Sequence, residues 1–427
     1  MPSRTAAAVA VAALCLATAL PAQAQTTAPT QAPALTPPAT LPEPYYLGVA
    51  QAYTRDSNLF RLPDGSMPPP STKGRSDSVS TTSLLAGLDR SIGRQRVRGN
   101  ASIKRNRFRD NKQFDNDGHG VNLALDWETA NRLSGNVNVA SNRSLRRFDP
   151  SEASAASERN VETVKLADAT VRLGVVTRAT VEANANHRRV DYSSARFRDR
   201  AYKQTAASLG ARYRPAAATT FGVGLRFTEG RYPFFDDRYE RRDIDLTGRW
   251  EPGDGTVVSG RLSFGKTEYD RFTERDYSGP SGALGVLWQP TGKIRLSARA
   301  ARDTGQDSAF LTYGTESVLG LADYSRTTTS GRVQATYLAT AKTQLQLSAS
   351  HARRSLVTRL GGVGGTTVME GSDRVTQWQI GPTWAPTRSL QFGCDLTHER
   401  RSARGVGSSP YRSNSASCYG QFVIFPG

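Results

Sequence analysis

The stretch Phe221-Gly-Val-Gly-Leu-Arg-Phe227 has a large apolar side chain at every second position. Successive side chains of a β-strand point to opposite faces, so this stretch predicts a strand with one apolar face and one polar face. The same alternation recurs at 243–250 and 390–397. Because a half-buried soluble sheet gives this pattern in any one segment, the deciding observation is its repetition along the chain with almost no helical period between the segments.

Short connections follow many of these segments, and several of them have an aromatic residue two positions before a proline. Proline has no amide donor and therefore ends a strand and favours a turn. An aromatic residue next to such a turn is typical of the interface between a membrane and water. The predicted interface aromatics are Tyr213, Trp250, Trp288 and Trp384 before such prolines, and Trp127 and Tyr337 before short turns without proline.

The connections themselves alternate between short turns and longer polar loops. Turns are predicted near Gly93, Ala130, Thr177, Ala216, Gly253, Thr291, Ala341 and Thr387. The pattern predicts an all-β, transmembrane, antiparallel up-and-down β-barrel of about 18 strands, with 16 or 20 as alternatives, short periplasmic turns and longer extracellular loops. The longest predicted loops are Asp303–Arg326 and Leu356–Asp373, and the first of them is a candidate for a constriction inside the lumen.

The N-terminal residues and the overall composition indicate an exported protein. Residues 1–24 have the charged start, short apolar run and small-residue end of a signal peptide, with cleavage predicted before Gln25. Residues 25–44 are rich in Pro, Thr and Ala and predict a flexible periplasmic leader, and residues 45–427 form the predicted barrel. The mean hydropathy of −0.51 is compatible with a barrel in the outer membrane of a Gram-negative bacterium, since each strand needs only one apolar face.

The polar faces of the predicted strands carry more arginine than carboxylate, in a chain of net charge +18. Such a lumen favours anions, because a surplus of one sign of charge in a confined space attracts counter-ions. For any single arginine, pairing with Asp or Glu in a structural ladder is an equally good interpretation. The predicted lumen arginines are Arg98, Arg172, Arg188, Arg212, Arg226, Arg249, Arg261, Arg295, Arg299 and Arg332.

Two further features concern the strand ends and the last hairpin. Basic residues near the extracellular ends are expected to face anionic lipopolysaccharide. If the last two strands pair so that Cys394 faces Cys418, Phe392 faces Gly420, which predicts a cross-strand disulfide, with free buried thiols as the alternative. The expected lipopolysaccharide-facing residues are Arg105, Arg107, Arg146, Arg147, Arg400 and Arg401.

No pattern of catalytic, metal-binding or cofactor-binding residues stands out. The four histidines lack metal-ligand spacing, and His187, His351 and His398 fall on the predicted lipid-facing positions. The glycine-rich stretch 361–365 does not precede a helix, so it predicts a mobile loop and not a phosphate loop. We therefore expect neither an enzyme nor a metal or cofactor site, and no nucleic-acid partner.

The segment Asp56-Ser-Asn-Leu-Phe-Arg61, followed by Arg75-Ser-Asp77, resembles the EpsL-type outer-membrane proteins of exosortase/PEP-CTERM-associated exopolysaccharide loci. Trp288-Gln-Pro-Thr-Gly-Lys293 and the following Leu296-Ser-Ala-Arg299 are similar to a strand–turn–strand block of the same group. The resemblance implies a large barrel with a role in exopolysaccharide export or assembly. It supplies no catalytic or binding residues.

These observations predict a porin-like conduit that exports an acidic exopolysaccharide past an arginine-rich lumen. A general anion- or sugar-uptake porin is the alternative, and a plugged structural or interaction barrel is the second alternative. The predicted partners are outer-membrane lipid and lipopolysaccharide, an anionic polysaccharide, other polysaccharide export components and the barrel assembly machinery. Phe425, close to the end of the last strand, resembles the signal that this machinery recognises.

Overall fold

The computed structural model describes residues 44–425 apart from 130–131, 149–157, 175–176, 254, 272, 274–275, 304–324, 363–364 and 406–407. The described residues form 18 strands and two short 3-10 helices, Lys112–Phe114 and Ala195–Arg200. None of the described helices is long and apolar enough to cross a membrane. The strands are β1 Tyr45–Asp56, β2 Asp77–Ile92, β3 Gln95–Phe108, β4 Asn116–Glu128, β5 Leu133–Leu145, β6 Val161–Leu173, β7 Ala179–Tyr192, β8 Tyr202–Ala216, β9 Thr219–Tyr232, β10 Asp237–Gly253, β11 Thr256–Tyr269, β12 Tyr277–Trp288, β13 Ile294–Asp303, β14 Ser325–Leu338, β15 Thr343–Gly362, β16 Gly365–Trp384, β17 Leu390–Gly405 and β18 Tyr411–Ile424.

The strands close into a single barrel. Each strand pairs antiparallel with the next one in the chain, and β18 pairs with β1 with Leu47 opposite Ile424. Closure leaves no unpaired strand edge, which is the condition for a sheet to cross a lipid bilayer. The predicted architecture of an up-and-down barrel with 18 strands is therefore confirmed.

The two ends of the barrel differ in the length of their connections. We call the end with the short connections and the first residue of β1 the turn end, and the opposite end the loop end. The segments at the loop end used below are L1 (57–76), L2 (109–115), L3 (146–148 and 158–160) and L4 (193–201). The described residues of the predicted turns lie at the turn end, and Ala130 lies outside the described residues.

One predicted loop is wrong. Most of the segment Leu356–Asp373 is strand, because β15 continues to Gly362 and β16 begins at Gly365. The described residues of the glycine-rich stretch accordingly belong to the paired strands, with Gly362 opposite Gly365. The segment 356–373 lacks apolar alternation. Strands outside the membrane can still pair through their backbone groups, and this pairing does not require alternation. The other predicted loop lies for the most part outside the described residues, at 304–324.

The outside of the barrel is apolar and the inside is polar. Large apolar side chains point outward at alternate positions, and Leu209, Leu225 and Ile103 are 62%, 64% and 64% exposed. The opposite positions carry buried Ser, Thr, Gln, Asp and Arg side chains. This inversion of the usual soluble arrangement is that of a transmembrane barrel, whose outer face is solvated by lipid.

The predicted interface aromatics lie together in one band. All six point outward next to the turn end, and Tyr213, Trp250 and Trp384 are each about half exposed. The Trp384 ring stacks on Phe392 of the neighbouring strand, with 5.8 Å between the ring centroids. The remaining tryptophan, Trp378, points outward higher on β16 and is 59% exposed.

The last hairpin has the predicted register. Cys394 lies opposite Cys418, Phe392 lies opposite Gly420 and the two sulfurs form a disulfide on the outer face of β17 and β18. The bond therefore joins two strands that are already paired and closes a segment of 24 residues.

We expect alkylation of the unfolded mature protein to modify Cys394 and Cys418 only after reduction. A Cys394→Ser/Cys418→Ser variant should lose up to about 3 kcal/mol of unfolding free energy, because the unfolded chain regains the entropy of an open loop. Mass spectrometry with and without reductant checks the bond, and denaturant unfolding checks the stability. Alkylation of both thiols without reductant would contradict the assignment.

Candidate functional site: the barrel interior

The structure places all ten predicted lumen arginines on inward-facing positions. On each strand the neighbouring positions carry the exposed apolar side chains of the outer face, such as Leu225 beside Arg226 and Leu262 beside Arg261. The strand period of two thus decides their orientation. Whether these arginines line a path for a substrate remains a prediction.

At least five of the ten form ion pairs with carboxylates of the barrel wall. The Arg172 Nε and an Arg212 Nη atom each lie 2.7 Å from a carboxylate oxygen of Glu182. Arg226 lies within 3.0 Å of Asp245 and 3.2 Å of Asp243. Arg98 pairs with Asp126 and Arg249 with Glu251. These five arginines therefore serve as structural partners of Asp or Glu side chains, the alternative to a role in attracting anions.

The remaining arginines concentrate on one part of the wall. Arg299 lies directly opposite Arg332 on β13 and β14, Arg261 is on β11, and Arg295 is exposed near the turn end of β13. On the inward face of β11–β14, Asp303 is the one described carboxylate. We call these four arginines the arginine wall. Its surplus of positive charge makes it the part of the interior best suited to attract an anion.

Arg188, the tenth predicted arginine, belongs to a tyrosine cluster near the loop end. Its guanidinium lies 6.0 Å from the centre of the Tyr202 ring. The cluster continues through Tyr232 to Tyr239, with 6.2 Å between those two centroids, and Tyr239 donates a hydrogen bond to Gln204 at 2.9 Å. Tyr239 is fully buried, so this cluster packs the wall and does not present an open surface.

Segment L1 folds inward at the loop end and forms a small apolar core. Phe60 contacts Phe114 of L2 and Phe148 of L3, with centroid separations of 5.8 and 5.0 Å. Phe114 is itself only 4.8 Å from Phe148 and has no exposed surface. The burial of these rings holds three loop-end segments together. The other members of this core are Leu59, Leu62, Val79, Phe108 and Leu145.

Side-chain-to-backbone hydrogen bonds give L1 its shape. The Asn58 amide donates to Asp56 at 2.8 Å, and the Asn58 side-chain nitrogen donates to the carbonyls of Leu62 and Arg412, both at 2.8 Å. The Leu62 amide donates back to the Asn58 side chain at 2.9 Å. Asn and Asp favour such local turns. The hydrogen bonds between Asn58 and Leu62 orient Arg61, which lies between these two residues, toward the barrel wall.

Arg61 is the centre of a buried ionic network that we call the L1 network. An Nη atom of Arg61 lies 2.8 Å from Asp56, and its Nε lies 3.9 Å from Glu399 on β17. All three side chains are 1% exposed. Arg147 of L3 also pairs with Glu399 and donates to the Tyr411 hydroxyl at 2.7 Å. Burial lowers the pKa of Arg147 to about 10, which still leaves it charged at neutral pH.

A second buried pair adjoins this network on β15–β17. Arg354 donates to Asp373 at 2.8 Å, and Arg401 lies 3.8 Å from the same carboxylate. The Arg401 guanidinium also covers the Tyr411 ring at 4.8 Å. The inward side chains are therefore packed at the loop end, whereas Arg212, Arg249 and Arg295 near the turn end are exposed.

Three of the basic residues expected to face lipopolysaccharide do not face outward. Arg401 points inward, Arg147 joins the L1 network, and Arg146 lies over the Phe197 ring of L4 at 4.7 Å. Arg146 and Arg147 follow the last residue of β5, where strand parity no longer applies. Arg107 faces outward but pairs with Asp117 at 3.3 Å, which leaves Arg105 and Arg400 as exposed outward arginines.

Several buried interior residues were not predicted from the sequence. Arg241, Arg354 and Glu399 lie on strands with clear alternation, so parity alone could have placed them inside. Arg241 is 1% exposed and its Nη2 lies 2.7 Å from Asp243. No local pattern indicates that Arg61 would be buried, because its partner Glu399 belongs to the other end of the chain.

The histidines take part in cross-strand hydrogen bonds. His187, His351 and His398 are exposed on the outer face and bond Thr205, Thr376 and Asn414 at 2.9, 2.9 and 2.7 Å. His119 bonds Ser141 at 3.0 Å within the β4–β5 pair. In the part of the chain that the structure describes, no group of three His, Cys, Asp or Glu side chains is arranged to hold a metal ion.

No family model matches the sequence, and no curated protein matches it either. Among solved structures, OccK2 (OpdF) of Pseudomonas aeruginosa is similar with a TM-score of 0.49 and 10% identity, over 90% of this chain and 98% of that chain. A BenF-like porin from Pseudomonas fluorescens Pf-5 has a TM-score of 0.46 and 12% identity, over 90% and 99%. The FrpB iron transporter from Neisseria meningitidis has 0.45 and 9%, over 90% and 82%. These values are too low to transfer a substrate or a transport direction to this chain.

Proposed function

We propose that this protein is a porin-like channel of the Gram-negative outer membrane that admits small anionic solutes, and that it is not an enzyme. The observation that carries the proposal is the arginine wall on β11–β14, where four inward arginines face one described carboxylate. In a water-filled channel such a wall concentrates anions. The apolar outer face and the aromatic band at the turn end support the location in a membrane.

Uptake of small solutes is better supported than the predicted export of an acidic exopolysaccharide. A polymer needs a continuous opening at the loop end, and there the L1 network and the apolar core of L1, L2 and L3 pack the interior. A small anion needs a much narrower path. The exported polymer, the other export components and the assembly machinery stay predictions.

A second candidate function is a plugged structural or interaction barrel. The observation that favours it is again L1, whose residues Leu59, Phe60 and Arg61 are at most 2% exposed inside the barrel end. A loop held this firmly could keep the channel closed until a partner at the surface displaces it. The two candidates differ in one measurable property, the conductance of the isolated protein.

Single-channel recording of the refolded mature protein in a planar bilayer tests the proposal. We expect a stable channel whose reversal potential in a salt gradient shows selectivity for chloride over potassium. An Arg261→Gln/Arg299→Gln/Arg332→Gln variant should lose most of this selectivity, about fivefold or more in the permeability ratio, because each charge attracts an anion 4 Å away by about 1 kcal/mol even in water-like surroundings.

A matched control removes three positive charges from the outer face. Arg238, Arg242 and Lys266 point outward on β10 and β11, so their replacement by glutamine should leave the selectivity unchanged. A folded barrel that never conducts would reject the open channel in favour of the plugged barrel. A conducting barrel with equal selectivity in the two triple variants would reject the arginine wall as its cause.

A further inference from the structure

Five of the outward-facing arginines on five adjacent strands, β15–β18 and β1, lie level with the loop-end residues of β1 and β18, whereas β15 and β16 continue beyond them. All five side chains are exposed, and within the described part of the chain none forms an ion pair with a carboxylate. We call this group the outer arginine cluster. Its members are Arg55, Arg353, Arg374, Arg400 and Arg412.

The strand register brings like charges together in this cluster. Arg353 lies directly opposite Arg374, and Arg400 lies directly opposite Arg412. Like charges at directly opposite positions repel each other and destabilise a strand pair. The nearest carboxylate of the same parity is Glu370, four residues beyond Arg374 and about 13 Å away along β16. The cluster therefore lacks a counter-charge of its own.

The outer face of β9–β11 shows a different arrangement at the same height. There the basic residues alternate with acids, and Arg238 lies 3.1 Å from Glu229 while Lys266 lies 2.6 Å from Glu268. Outward charges at the loop end can thus be neutralised within the sheet. On β15–β18 and β1 the five arginines have no such neighbouring acids among the described residues, and this distinguishes one sector of the barrel from the other.

An apolar groove lies directly below the cluster, on the way to the middle of the barrel. It has a volume of about 650 Å³ and is formed by outward side chains of β14–β18. Small residues make its floor and larger apolar residues make its sides, namely Ala335, Ala349 and Ala416 with Leu347, Trp378 and Leu396. Trp378 and Leu396 are 59% and 57% exposed, so the groove opens outward.

The groove and the cluster are continuous. His398 and Asn414 lie at the upper end of the groove, with Arg55 at its rim. Arg400 and Arg412 occupy the next outward positions above His398 and Asn414, about 7 Å further along β17 and β18. A ligand that matches both parts has an apolar chain for the groove and several negative charges at the head.

We propose that this sector binds a phosphorylated glycolipid of the outer leaflet, with one acyl chain in the groove and its phosphates against the outer arginine cluster. The guanidinium group suits phosphate because its planar fork donates two parallel hydrogen bonds. The inference rests on the outer-membrane location of the proposed function but not on transport of any solute. The bound lipid supplies the counter-charge that the cluster lacks.

Titration of the detergent-solubilised mature protein with bisphosphorylated lipid A, followed by native mass spectrometry, tests the site. Dephosphorylated lipid A with the same acyl chains should bind far more weakly. An Arg400→Gln/Arg412→Gln variant should bind bisphosphorylated lipid A about 30-fold more weakly than the wild type, since one basic residue near an anionic lipid contributes about a fivefold factor. The matched control Arg242→Gln/Lys266→Gln should retain the wild-type affinity.

An Ala349→Trp variant tests the groove separately by filling its floor. It should weaken binding of lipid A, whereas competition by inorganic phosphate should be weak in every variant. Equal affinity for the two lipids, or equal losses in the cluster and control variants, would overturn the proposal. Displacement by inorganic phosphate at lipid-like concentrations would reassign the cluster to free phosphate. Because binding is measured without a bilayer, a silent channel with intact lipid binding would reject the proposed function alone.

Discussion

Replacing Arg61 with methionine is expected to raise the single-channel conductance severalfold and to release L1 from the barrel wall. The change removes the cation between Asp56 and Glu399, whose side chains are 1% exposed. Removing one partner of a buried ion pair costs about 3–5 kcal/mol, because the remaining charge is left without compensation. L1 can escape this cost by leaving the interior, so the folded strands should persist while the loop end opens.

Planar-bilayer recording measures the conductance, and two variants serve as its controls. Arg105→Met removes an exposed outward arginine of β3 and should leave the conductance unchanged. Adding Asp56→Asn to Arg61→Met should restore L1 in large part, because the neutral amide removes the carboxylate left without a cation while Glu399 keeps its pair with Arg147. If Arg61→Met conducts like the wild type, the L1 network does not restrict the channel.

Replacing Phe114 with alanine is expected to loosen L1 through the apolar core. Phe114 is completely buried between Phe60, Phe108 and Phe148. Truncating a buried phenylalanine costs about 3–5 kcal/mol, since apolar contacts are lost and a cavity remains. Amide hydrogen exchange of residues 58–62 should accelerate by about 100-fold or more, because that energy no longer opposes opening of the loop.

Phe234→Ala is the matched control for this experiment. Phe234 also lies in a connection at the loop end, but it is 62% exposed. We expect its replacement to change neither the exchange of residues 58–62 nor the conductance. Unchanged exchange in Phe114→Ala would show that L1 is held by the L1 network alone. In a variant that combines Phe114→Ala with Arg61→Met, the effects on the exchange of residues 58–62 should be non-additive, since both changes release the same segment.

The sequence indicated the barrel, the facing of the lumen arginines and the register of the last hairpin. Each of these follows from a local rule: a strand exposes alternate residues to opposite faces, and lipid on the outside accepts only apolar ones. The aromatic band at the turn end follows from the same rule together with proline at the turns. Alternation was therefore enough to place Arg261, Arg299 and Arg332 inside.

The same rule failed where the chain leaves the membrane. The segment 356–373 carries no apolar alternation and was predicted as a loop, yet β15 and β16 extend through most of it by backbone pairing. Arg146 and Arg147 follow the end of β5, so neither parity nor lipid fixes their direction. Asp56-Ser-Asn-Leu-Phe-Arg61 stood out as a motif, but its inward fold was not indicated by its own residues.

Tertiary structure alone decided which charged side chains lie next to each other. Arg147 and Glu399 are 252 residues apart in the chain and meet only because closing the barrel brings β17, β18 and L3 around L1. Likewise, the outer arginine cluster exists because β15–β18 lie beside β1, which no local pattern specifies. Alternation with a period of two is a property of each strand by itself and can be read from the sequence. The partners of a buried charge depend on ring closure and loop packing, which are contacts between distant parts of the chain.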